Sequence, residues 1–476
     1  MVVAAVLAVL VGVPGWFWFD SLLPGTYSVM DLGYADYGGG APHDHRGTVS
    51  VADLTGDTAG TPDVSIVLTA RQETITLASG EGFPGYTLNH RSPGPLIRAT
   101  QGNLLEVTLV NESVRDGVTL HWHGVDLPNA ADGVAGVTQD AVRPGQSYVY
   151  RFRVDDAGTY WYHSHQVAHV QVPGGLYGVL VVEPPGGAGP DFVAAVHSYR
   201  SLGTISGRSG LTRVPALPGA RLRLRVVNTE PASIILSIFG SQYRLVAVDG
   251  REINSPSDVD HKTVAVAGGG RVDVELRVPT DGHAVRVEFG VGASSLAIGP
   301  ANAPIAPLRA LNGAIDRLSY GQPAAIGFDP EQATRRFIYS VDRRLGFVDG
   351  RLASWWTVNG RLYPDIPMFM VRAGDFVVMT IKNSYGSLHP MHLHGHHAVV
   401  LSRNGAPARG SPWWVDTLDV EKGATYVIAF VADNPGIWID HCHNLAHAAA
   451  GLVAHIAYMG ITVPYRIGGE AGNRPE

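Results

Sequence analysis

A spacing that occurs three times limits the fold of this chain more than any other feature. In each copy a glycine is followed nine residues later by an asparagine, and apolar and polar residues alternate between them. The three pairs are Gly102 and Asn111, Gly219 and Asn228, and Gly374 and Asn383. Alternation with a period of two is typical of a half-buried β-strand. The chain is therefore predicted to contain three related β-rich units.

Further alternating runs follow about every ten residues from about residue 62 onward, separated by turn residues. The clearest runs are Leu104–Val110, Tyr148–Val154, Arg221–Val227, Val272–Val278, Phe376–Ile381 and Tyr426–Ala432. Many short strands between turns indicate stacked β-sandwiches, and the 58 Gly and 31 Pro suit such a fold. We predict an all-β protein with three consecutive β-sandwich domains at residues 62–187, 188–320 and 321–476.

Histidines stand at matched positions in the first and third units only. A His-x-His pair follows Asn111 and another follows Asn383, whereas the middle unit has Ser237 and Phe239 at these positions. Two more pairs each follow a Gly-to-Gly interval of thirteen residues. The four pairs are His121/His123, His163/His165, His392/His394 and His441/His443. Residues two apart on a strand face the same side, so each pair can offer two imidazoles to one cavity. Imidazole commonly binds copper, zinc and iron, and four pairs predict several metal ions.

The single cysteine, Cys442, excludes an intramolecular disulfide and suggests a second metal site. With His447 five residues later and His389 upstream, it supplies the two-histidine, one-cysteine ligands of a blue-copper electron-transfer site. The axial position would be Leu452, which cannot ligate a metal. A copper ion there is expected to be three-coordinate, in a drier environment, and to have a raised potential.

The position of Cys442 between His441 and His443 suggests how the two sites work together. Its backbone connects the copper that accepts electrons to the metal ions held by its two neighbours. Reduction of O2 by single electrons would release reactive intermediates, and a cluster that collects four electrons avoids this. A relay from one copper to several is therefore expected.

These motifs resemble those of the multicopper oxidases, of the three-domain, laccase-like kind. They are His121-Trp-His-Gly124, Trp161-Tyr-His-Ser-His165, His389-Pro-Met-His-Leu-His-Gly395 and His441-Cys-His-Asn-Leu-Ala-His447, and the resemblance covers about residues 62 to 460. It implies three cupredoxin-like Greek-key domains and a copper-dependent oxidation coupled to the reduction of O2 to water. It also implies four copper ions: type 1 at His389, Cys442 and His447; type 2 at His121 and His392; and a type 3 pair at His123, His163, His165, His394, His441 and His443.

Reduction of O2 requires protons, so a carboxylate is expected near the cluster. Asp132 resembles the family acid beside the type 2 copper, with a simple turn residue as the alternative. Asp416 resembles an acid that orients cluster ligands, with a surface or turn position as the alternative. Many bacterial members carry an acid just after the last type 1 histidine, but that residue here is Ala448. Asp440 is a further candidate.

Three other histidines lie close to the motifs. His396 and His397 extend the motif of the third unit and are interpreted as core residues or supports for the ligands. His169, four residues after His165, is a candidate for lining a channel to the cluster.

The reducing substrate is the least constrained part of the prediction. Family members oxidise phenols, aromatic amines, bilirubin, Cu(I), Fe(II) or Mn(II). The seven Met form no Met-rich tract, although soft thioethers would suit Cu(I). We predict laccase-like oxidation of phenols or aromatic amines. The alternatives are a metal-ion oxidase in metal tolerance, a copper-binding protein without turnover, and a pure electron carrier, which would not need the eight paired histidines.

Residues 1–19 contain no charged residue and are long enough to cross a bilayer. We predict a membrane anchor. A signal sequence or the last of several spans are the alternatives, although no basic n-region or small-x-small cleavage site is evident. Residues 20–61, rich in Gly, Pro, Asp and Ser, are predicted to be a linker or arm.

The predicted partners are O2, a small reducing substrate and a membrane. The formal net charge of −7 argues against nucleic acid. Three covalently linked domains make a monomer sufficient. The anchor and the lone thiol favour the extracytoplasmic face of the cell envelope, with the protein anchored or secreted.

Overall fold

The computed structural model describes residues 13–42 and 48–476, and β-strands dominate it. The described helices are short: residues 13–20 are helical, and two α-helices span Ala168–Gln171 and Leu445–Ala449. Single-turn 3-10 helices span Val29–Asp31, Val51–Asp53, Asn129–Ala131 and Pro330–Gln332. The predicted all-β class is confirmed, and a strand coincides with each of the six alternating runs to within a residue or two at either end.

Two four-stranded sheets form from residues 64 to 183. The first has the strand order Ile97–Thr100, Tyr177–Glu183, Gly158–His163 and His121–His123. The second has the order Gly82–Leu88, Val64–Thr76, Leu104–Asn111 and Ser147–Arg153. The edge strand His121–His123 carries the first histidine pair.

Two larger sheets form from residues 191 to 299. The six-stranded sheet has the order Leu202–Ile205, Asp191–Tyr199, Arg221–Asn228, Arg271–Arg277, Tyr243–Val248 and Arg251–Glu252. The five-stranded sheet has the order Leu211–Pro215, Ser295–Gly299, Val285–Glu288, Ile234–Phe239 and Thr263–Val266.

The last pair of sheets comes mainly from residues 335 to 458. The six-stranded sheet has the order Tyr34–Asp36, Pro367–Val371, Val453–Tyr458, Ile437–Cys442, His389–Leu393 and Thr417–Val420. The eight-stranded sheet has the order Arg361–Leu362, Arg351–Val358, Arg335–Val348, Phe376–Asn383, Thr425–Val431, Ala398–Arg403 and Ala406–Pro407, with Trp414–Val415 also paired to Ala398–Arg403. The proposed domain boundaries near 187 and 320 fall between these stretches and stay predictions.

The segment predicted as a linker or arm contributes strands of its own. Tyr34–Asp36 adds a parallel strand to the last six-stranded sheet. Thr26–Tyr27 pairs with Ile467–Gly468, and Val49–Ser50 pairs with Ile461–Thr462. The described part of the arm is therefore bound to the last part of the chain, which its turn-rich composition did not indicate.

The repeated glycine and asparagine have one structural role in all three units. The glycines have φ values of +87°, +78° and +87°, a left-handed conformation that favours glycine. Each asparagine is buried at the end of its strand, where its amide donates to carbonyl groups of the following loops. Asn228, for example, donates to the carbonyls of Ala232, Val266 and Ala267 at 2.9, 2.9 and 2.8 Å.

The predicted membrane anchor, residues 1–19, lies mostly outside the described residues. Its described part is an exposed helix at residues 13–20. Among residues 13–42 and 48–476, no helix combines the length and the apolar character needed to span a bilayer. The anchor therefore stays a prediction.

Replacement of Asn228 tests the role of the repeated asparagine. Asn228→Ala removes the donor of two buried carbonyl groups, those of Val266 and Ala267, and of the part-buried carbonyl of Ala232. The free energy of unfolding should therefore fall by about 1–3 kcal/mol. Denaturant unfolding would measure it, with Asn302→Ala, at an exposed turn of the same unit, as the matched control. If the two variants had the same free energy of unfolding, the role assigned to Asn228 would be contradicted.

Candidate metal centres

Strand pairing places the histidine pairs of each unit side by side. In the first unit His163 lies opposite His121, and in the third unit His441 lies opposite His392. His165 and His443 follow two residues after His163 and His441. The eight paired histidines are all buried, with at most 2% of their surface exposed. The sequence prediction that these side chains share a cavity is confirmed by their contacts.

Ring nitrogens from the two units approach one another closely. The Nε2 atoms of His121 and His392 lie 3.3 Å apart, and those of His165 and His441 lie 3.4 Å apart. Within the third unit the Nε2 atoms of His394 and His441 are 3.3 Å apart. The His123 ring stacks on that of His392, with centroids 3.6 Å apart. The site is thus built between the first and third units.

In six of these histidines the outward ring nitrogen, Nδ1, bonds to an acceptor oxygen. The acceptors are the Asp132 carboxylate for His121 and His394, and the carbonyls of Ser164 for His163, Pro475 for His165, Asp416 for His392 and Cys442 for His441. A neutral imidazole that donates from one nitrogen offers only a lone pair at the other. The inward Nε2 atoms are therefore acceptors that face one another.

The remaining inward nitrogens are buried without a hydrogen-bond partner. They are Nδ1 of His123, Nε2 of His163 and one ring nitrogen of His443, whose two nitrogens are both buried without a partner and one of which carries its proton. Burial first, and then the neighbouring imidazoles, hold the pKa of His163 and His443 well below its usual range, so protons do not fill the gaps. Converging neutral imidazole lone pairs are the donor set that a copper or zinc ion requires. The residues therefore fit a resident metal cluster.

Asp132 connects the two units, as its predicted position suggests. Its carboxylate accepts from His121 Nδ1 at 3.0 Å and from His394 Nδ1 at 3.1 Å. It is 1% exposed, and burial raises its pKa. One carboxylate at the end of the 3-10 helix Asn129–Ala131 therefore orients one predicted ligand from each unit.

Asp416 is buried beside the same cluster, which excludes the surface alternative. Its Oδ1 lies 3.2 Å from His123 Nε2 and accepts from the hydroxyl of Thr417 at 2.8 Å. Its two oxygens accept from the Arg271 guanidinium at 2.6 Å each. Although burial alone would raise it, the charge of Arg271 holds the pKa of Asp416 well below its usual range. Asp416 is an anion that positions His123.

Arg271 and Asp249 come from the middle unit and were missed in the sequence. Arg271 is fully buried, and its backbone N–H donates to Asp249 at 2.8 Å. Asp249 also accepts from the Thr417 N–H at 3.2 Å. Burial, followed by the charge of Asp416, raises the pKa of Asp249 to about 6. The middle unit, which lacks the paired histidines, therefore supplies the arginine that binds Asp416, the acid that contacts His123. No local sequence signal marks a contact between residues 145 positions apart.

The two histidines after the third-unit motif are buried supports, as interpreted from the sequence. His397 bonds to Asp126 at 3.0 Å and to the carbonyl of Asp249 at 2.9 Å, and its Nε2 lies 3.3 Å from Asp416. His396 bonds to the Tyr458 hydroxyl at 2.7 Å.

Cys442, His389 and His447 form a separate trigonal site. The Cys442 sulfur lies 3.6 Å from His389 Nδ1 and 3.7 Å from His447 Nδ1, and the two nitrogens are 3.2 Å apart. Cys442 and His389 are buried, whereas His447 is partly exposed. Burial, mainly, lowers the pKa of both histidines to about 4, so their nitrogens stay free to bind a metal. This is the predicted two-histidine, one-cysteine set.

Three residues surround this site: Leu452, which the sequence indicated, and Trp356 and Arg343, which it did not. Leu452 is fully buried, and its carbonyl accepts from the Cys442 N–H at 3.2 Å. Trp356 packs against both histidines, with ring centroids 4.5 Å from His389 and 4.7 Å from His447. The guanidinium of Arg343 lies 4.8 Å from the Trp356 ring centroid. Trp356 and Arg343 lie on other strands, with no metal motif to mark them.

Asp440 is buried on the strand that carries His441 and Cys442, and burial raises its pKa to about 8. Nothing in its contacts assigns it a role.

The chain is similar to several known proteins. Two family models, both described as multicopper oxidase, match residues 69–187 and 337–459. Multicopper oxidase MmcO of Mycobacterium tuberculosis is 27% identical, over 83% of this chain and 87% of its own. Laccase-1 of Botryotinia fuckeliana is 26% identical, over 80% of each chain. A crystal structure of a multi-copper oxidase from Pseudomonas thermotolerans superposes with a TM-score of 0.67 at 27% identity, over 84% of this chain and all of the other.

Loss of the Arg271 guanidinium should leave the Asp416 carboxylate buried and unpaired. Arg271→Met is therefore expected to destabilise the protein by about 3–5 kcal/mol. The double variant Arg271→Met with Asp416→Asn should recover part of this loss, because no charge is left unpaired.

Denaturant unfolding measures both effects. Arg277→Met, at the exposed end of the same strand, is the matched control and should change stability by less than about 0.5 kcal/mol. A loss in Arg271→Met no larger than in the control would refute the bridging role of Arg271.

Proposed function

The chain belongs to the multicopper oxidase family, a family of copper-dependent oxidoreductases that use O2, and from this we propose its reaction and its copper ligands. It couples one-electron oxidation of a reducing substrate at a type 1 copper to four-electron reduction of O2 to water at a three-copper cluster. The observation that carries this proposal is the set of inward imidazole nitrogens that converge without proton or partner. A cation is the partner that such lone pairs lack.

The ligand assignment is the one that the family resemblance implies, and the contacts support it. His389, Cys442 and His447 hold the type 1 copper, and His121 with His392 holds the type 2 copper. The type 3 pair divides into two sets of three. His165, His394 and His441 form one set, because their ligand atoms all lie within 4.8 Å of one another. His123, His163 and His443 form the other set, whose inward nitrogens are the buried atoms without partners.

Copper bound at these sites would supply one-electron transfer at the cysteine and multi-electron reduction of O2 at the cluster. The protein chain itself contributes the positions of the ligands. His447, the partly exposed ligand, is where a donor outside the protein can reach the type 1 site. The Cys442 backbone then connects that site to His441 and His443 through one peptide unit on each side.

Charged residues beside His447 favour an organic donor over a metal ion. The charge of Arg343, after the larger effect of burial, lowers the pKa of His447, so a positive charge acts on this ligand. Arg344 and Arg351 are exposed on the same pair of strands, as is Asp342, so Arg343 is the charge shown to act on the ligand. A positive charge beside His447 repels Cu(I), Fe(II) and Mn(II) ions but not a neutral or anionic phenol. With the absence of a Met-rich tract in the sequence, this supports phenols or aromatic amines as substrates.

Cys442→Ser tests the coupling between the two sites. Serine removes the thiolate ligand but leaves the eight paired histidines, so the variant should lose its intense blue absorption and bind one copper ion fewer. It should also lose oxidation of every donor, because electrons no longer enter the cluster. Visible spectroscopy, copper analysis and O2 uptake with a phenol, an aromatic amine, Cu(I), Fe(II) and Mn(II) measure these effects.

Ser164→Ala is the matched control, because Ser164 occupies the equivalent position between two histidines of the first unit. It should keep the blue colour and the oxidation. A blue, active Cys442→Ser protein would refute the ligand assignment. Faster turnover of a metal ion than of any phenol or amine would favour the metal-ion oxidase instead.

A further inference from the structure

The segment of residues 472–476, named the 472–476 segment, packs against the loop that follows His165. Gln166 donates from its side chain to the Gly472 carbonyl at 2.8 Å and accepts from the Arg474 N–H at 2.8 Å. The Val167 N–H donates to the Arg474 carbonyl at 2.9 Å. Asn473 is fully buried, and its side-chain oxygen Oδ1 accepts a hydrogen bond from the Ala141 N–H at 2.8 Å. The segment is therefore held in one position against the loop.

Two features place this contact next to the cluster. The Pro475 carbonyl accepts the hydrogen bond from Nδ1 of His165, a cluster ligand in the proposed assignment. Val167 has φ +49°, a left-handed conformation that is strained for a β-branched residue. Such strain persists only where the surroundings determine it, and it is concentrated at functional sites.

The segment brings a carboxylic acid, Glu476, to this position. Its Oε1 lies 2.7 Å from Nδ1 of His169, and its Oε2 is buried without a partner. The side chain of Glu476 is 13% exposed, whereas that of His169 is 36% exposed. Both residues line a cavity of about 250 Å³, together with Ala448, Tyr363 and His455. The pair thus reaches from solvent into the interior beside His165.

Asp132 and Asp416, the two acids that contact the cluster histidines, do not combine a buried oxygen that lacks a partner with a side chain that solvent reaches. The Asp132 carboxylate already accepts from His121 and His394. Asp416 is held in a two-pronged ion pair with Arg271. Unlike Asp132 and Asp416, Glu476 combines a buried carboxylate oxygen that has no partner with a side chain that solvent reaches.

We propose that Glu476 delivers protons to the cluster on the His165 side during O2 reduction, and that His169 replaces them from solvent. The proposal rests on the proposed function. Each O2 takes four electrons from the donor and four protons from solvent to give two waters. Glu476 releases a proton from Oε2 and becomes a carboxylate. His169, as the imidazolium, then gives its Nδ1 proton to Oε1. Rotation of the carboxyl group returns this proton to the inner position, and the neutral His169 takes up a proton from water, so the pair is restored after each transfer.

The charges around the pair are consistent with this role. The carboxylate of Glu476, which accepts a hydrogen bond from His169 Nδ1, raises the pKa of His169, and burial raises the pKa of Glu476 although His169 opposes that rise. Both shifts favour the protonated forms. Arg474 opposes a positive His169 but is itself paired with Asp116 at 2.6 Å. His455, Tyr27 and Tyr363 are the other titratable groups that line the cavity. Oxidase activity should therefore fall as the pH rises through the range in which the pair loses its proton.

Glu476→Gln tests the proposal in the copper-loaded full chain. Loss of a proton donor costs about a hundredfold to ten-thousandfold when no other group acts. Because Asp132 remains, we expect kcat/KM for O2 to fall about tenfold and its decline at high pH to disappear. The value of kcat/KM for the electron donor should not change, since Glu476 acts only on the O2 side. Glu476→Asp should restore part of the rate, and Glu470→Gln, at an exposed acid nearby, is the matched control.

A second variant and a second readout separate proton delivery from a structural role. His169→Gln keeps the 472–476 segment intact and should show the same selective fall in kcat/KM for O2. NMR titration of His169 in the copper-loaded protein should give a lower pKa in Glu476→Gln than in the wild type. Copper content and blue absorption should match the wild type in both variants.

The outcomes distinguish the two proposals. If the wild type consumes no O2 with any donor, the proposed function fails and this inference fails with it. If the wild type turns over and Glu476→Gln keeps its kcat/KM for O2 and its pH profile, only the inference is wrong. Loss of copper from Glu476→Gln, with a normal O2 reaction in His169→Gln, would show that Glu476 merely holds the 472–476 segment in place.

Discussion

The architecture depends on one electrostatic constraint: buried imidazoles present lone pairs to each other across the first and third units. The Nε2 atoms of His121 and His392, only 3.3 Å apart, are both acceptors because each ring donates from Nδ1 to a fixed oxygen. Two buried acceptors at this distance repel, and burial holds the pKa of His392 well below its usual range, so His392 does not take up a proton that would relieve the repulsion. The facing nitrogens therefore oppose the packing of the two units until a cation binds between them. Metal binding is coupled in this way to the assembly of the two units.

The clustered histidines must be held in place by fixed groups around them, and all three units supply such groups. Asp132 receives hydrogen bonds from a histidine of each unit. Arg271 reaches from the middle unit to Asp416, which in turn contacts His123. A buried ion pair contributes little net stability, but it fixes one geometry because its removal leaves an unpaired charge. The middle unit lacks the paired histidines, but through Arg271 and Asp416 it still helps to determine where His123 lies.

What the sequence could predict was limited to features with a local period or a repeat. The period of two identified the strands, and the His-x-His spacing identified side chains that face one cavity, so the eight cluster histidines and the Cys442 site were found. Contacts such as that of Arg271 with Asp416 join residues 145 positions apart and have no period. The strands of the arm and the carboxylate of Glu476 were missed for the same reason, since only tertiary packing brings them to their partners.

The same period of two explains why the two metal sites lie so close and yet stay separate. Cys442 ends the strand Ile437–Cys442, and its side chain points to the opposite face from its neighbours. One face therefore meets the first unit at the cluster, while the other lies against Trp356 from the second sheet of its own unit. Covalent geometry, rather than side-chain packing, then sets the distance between the sites. A substitution near the proposed type 1 site would change its potential or its donor, but it would not lengthen this connection.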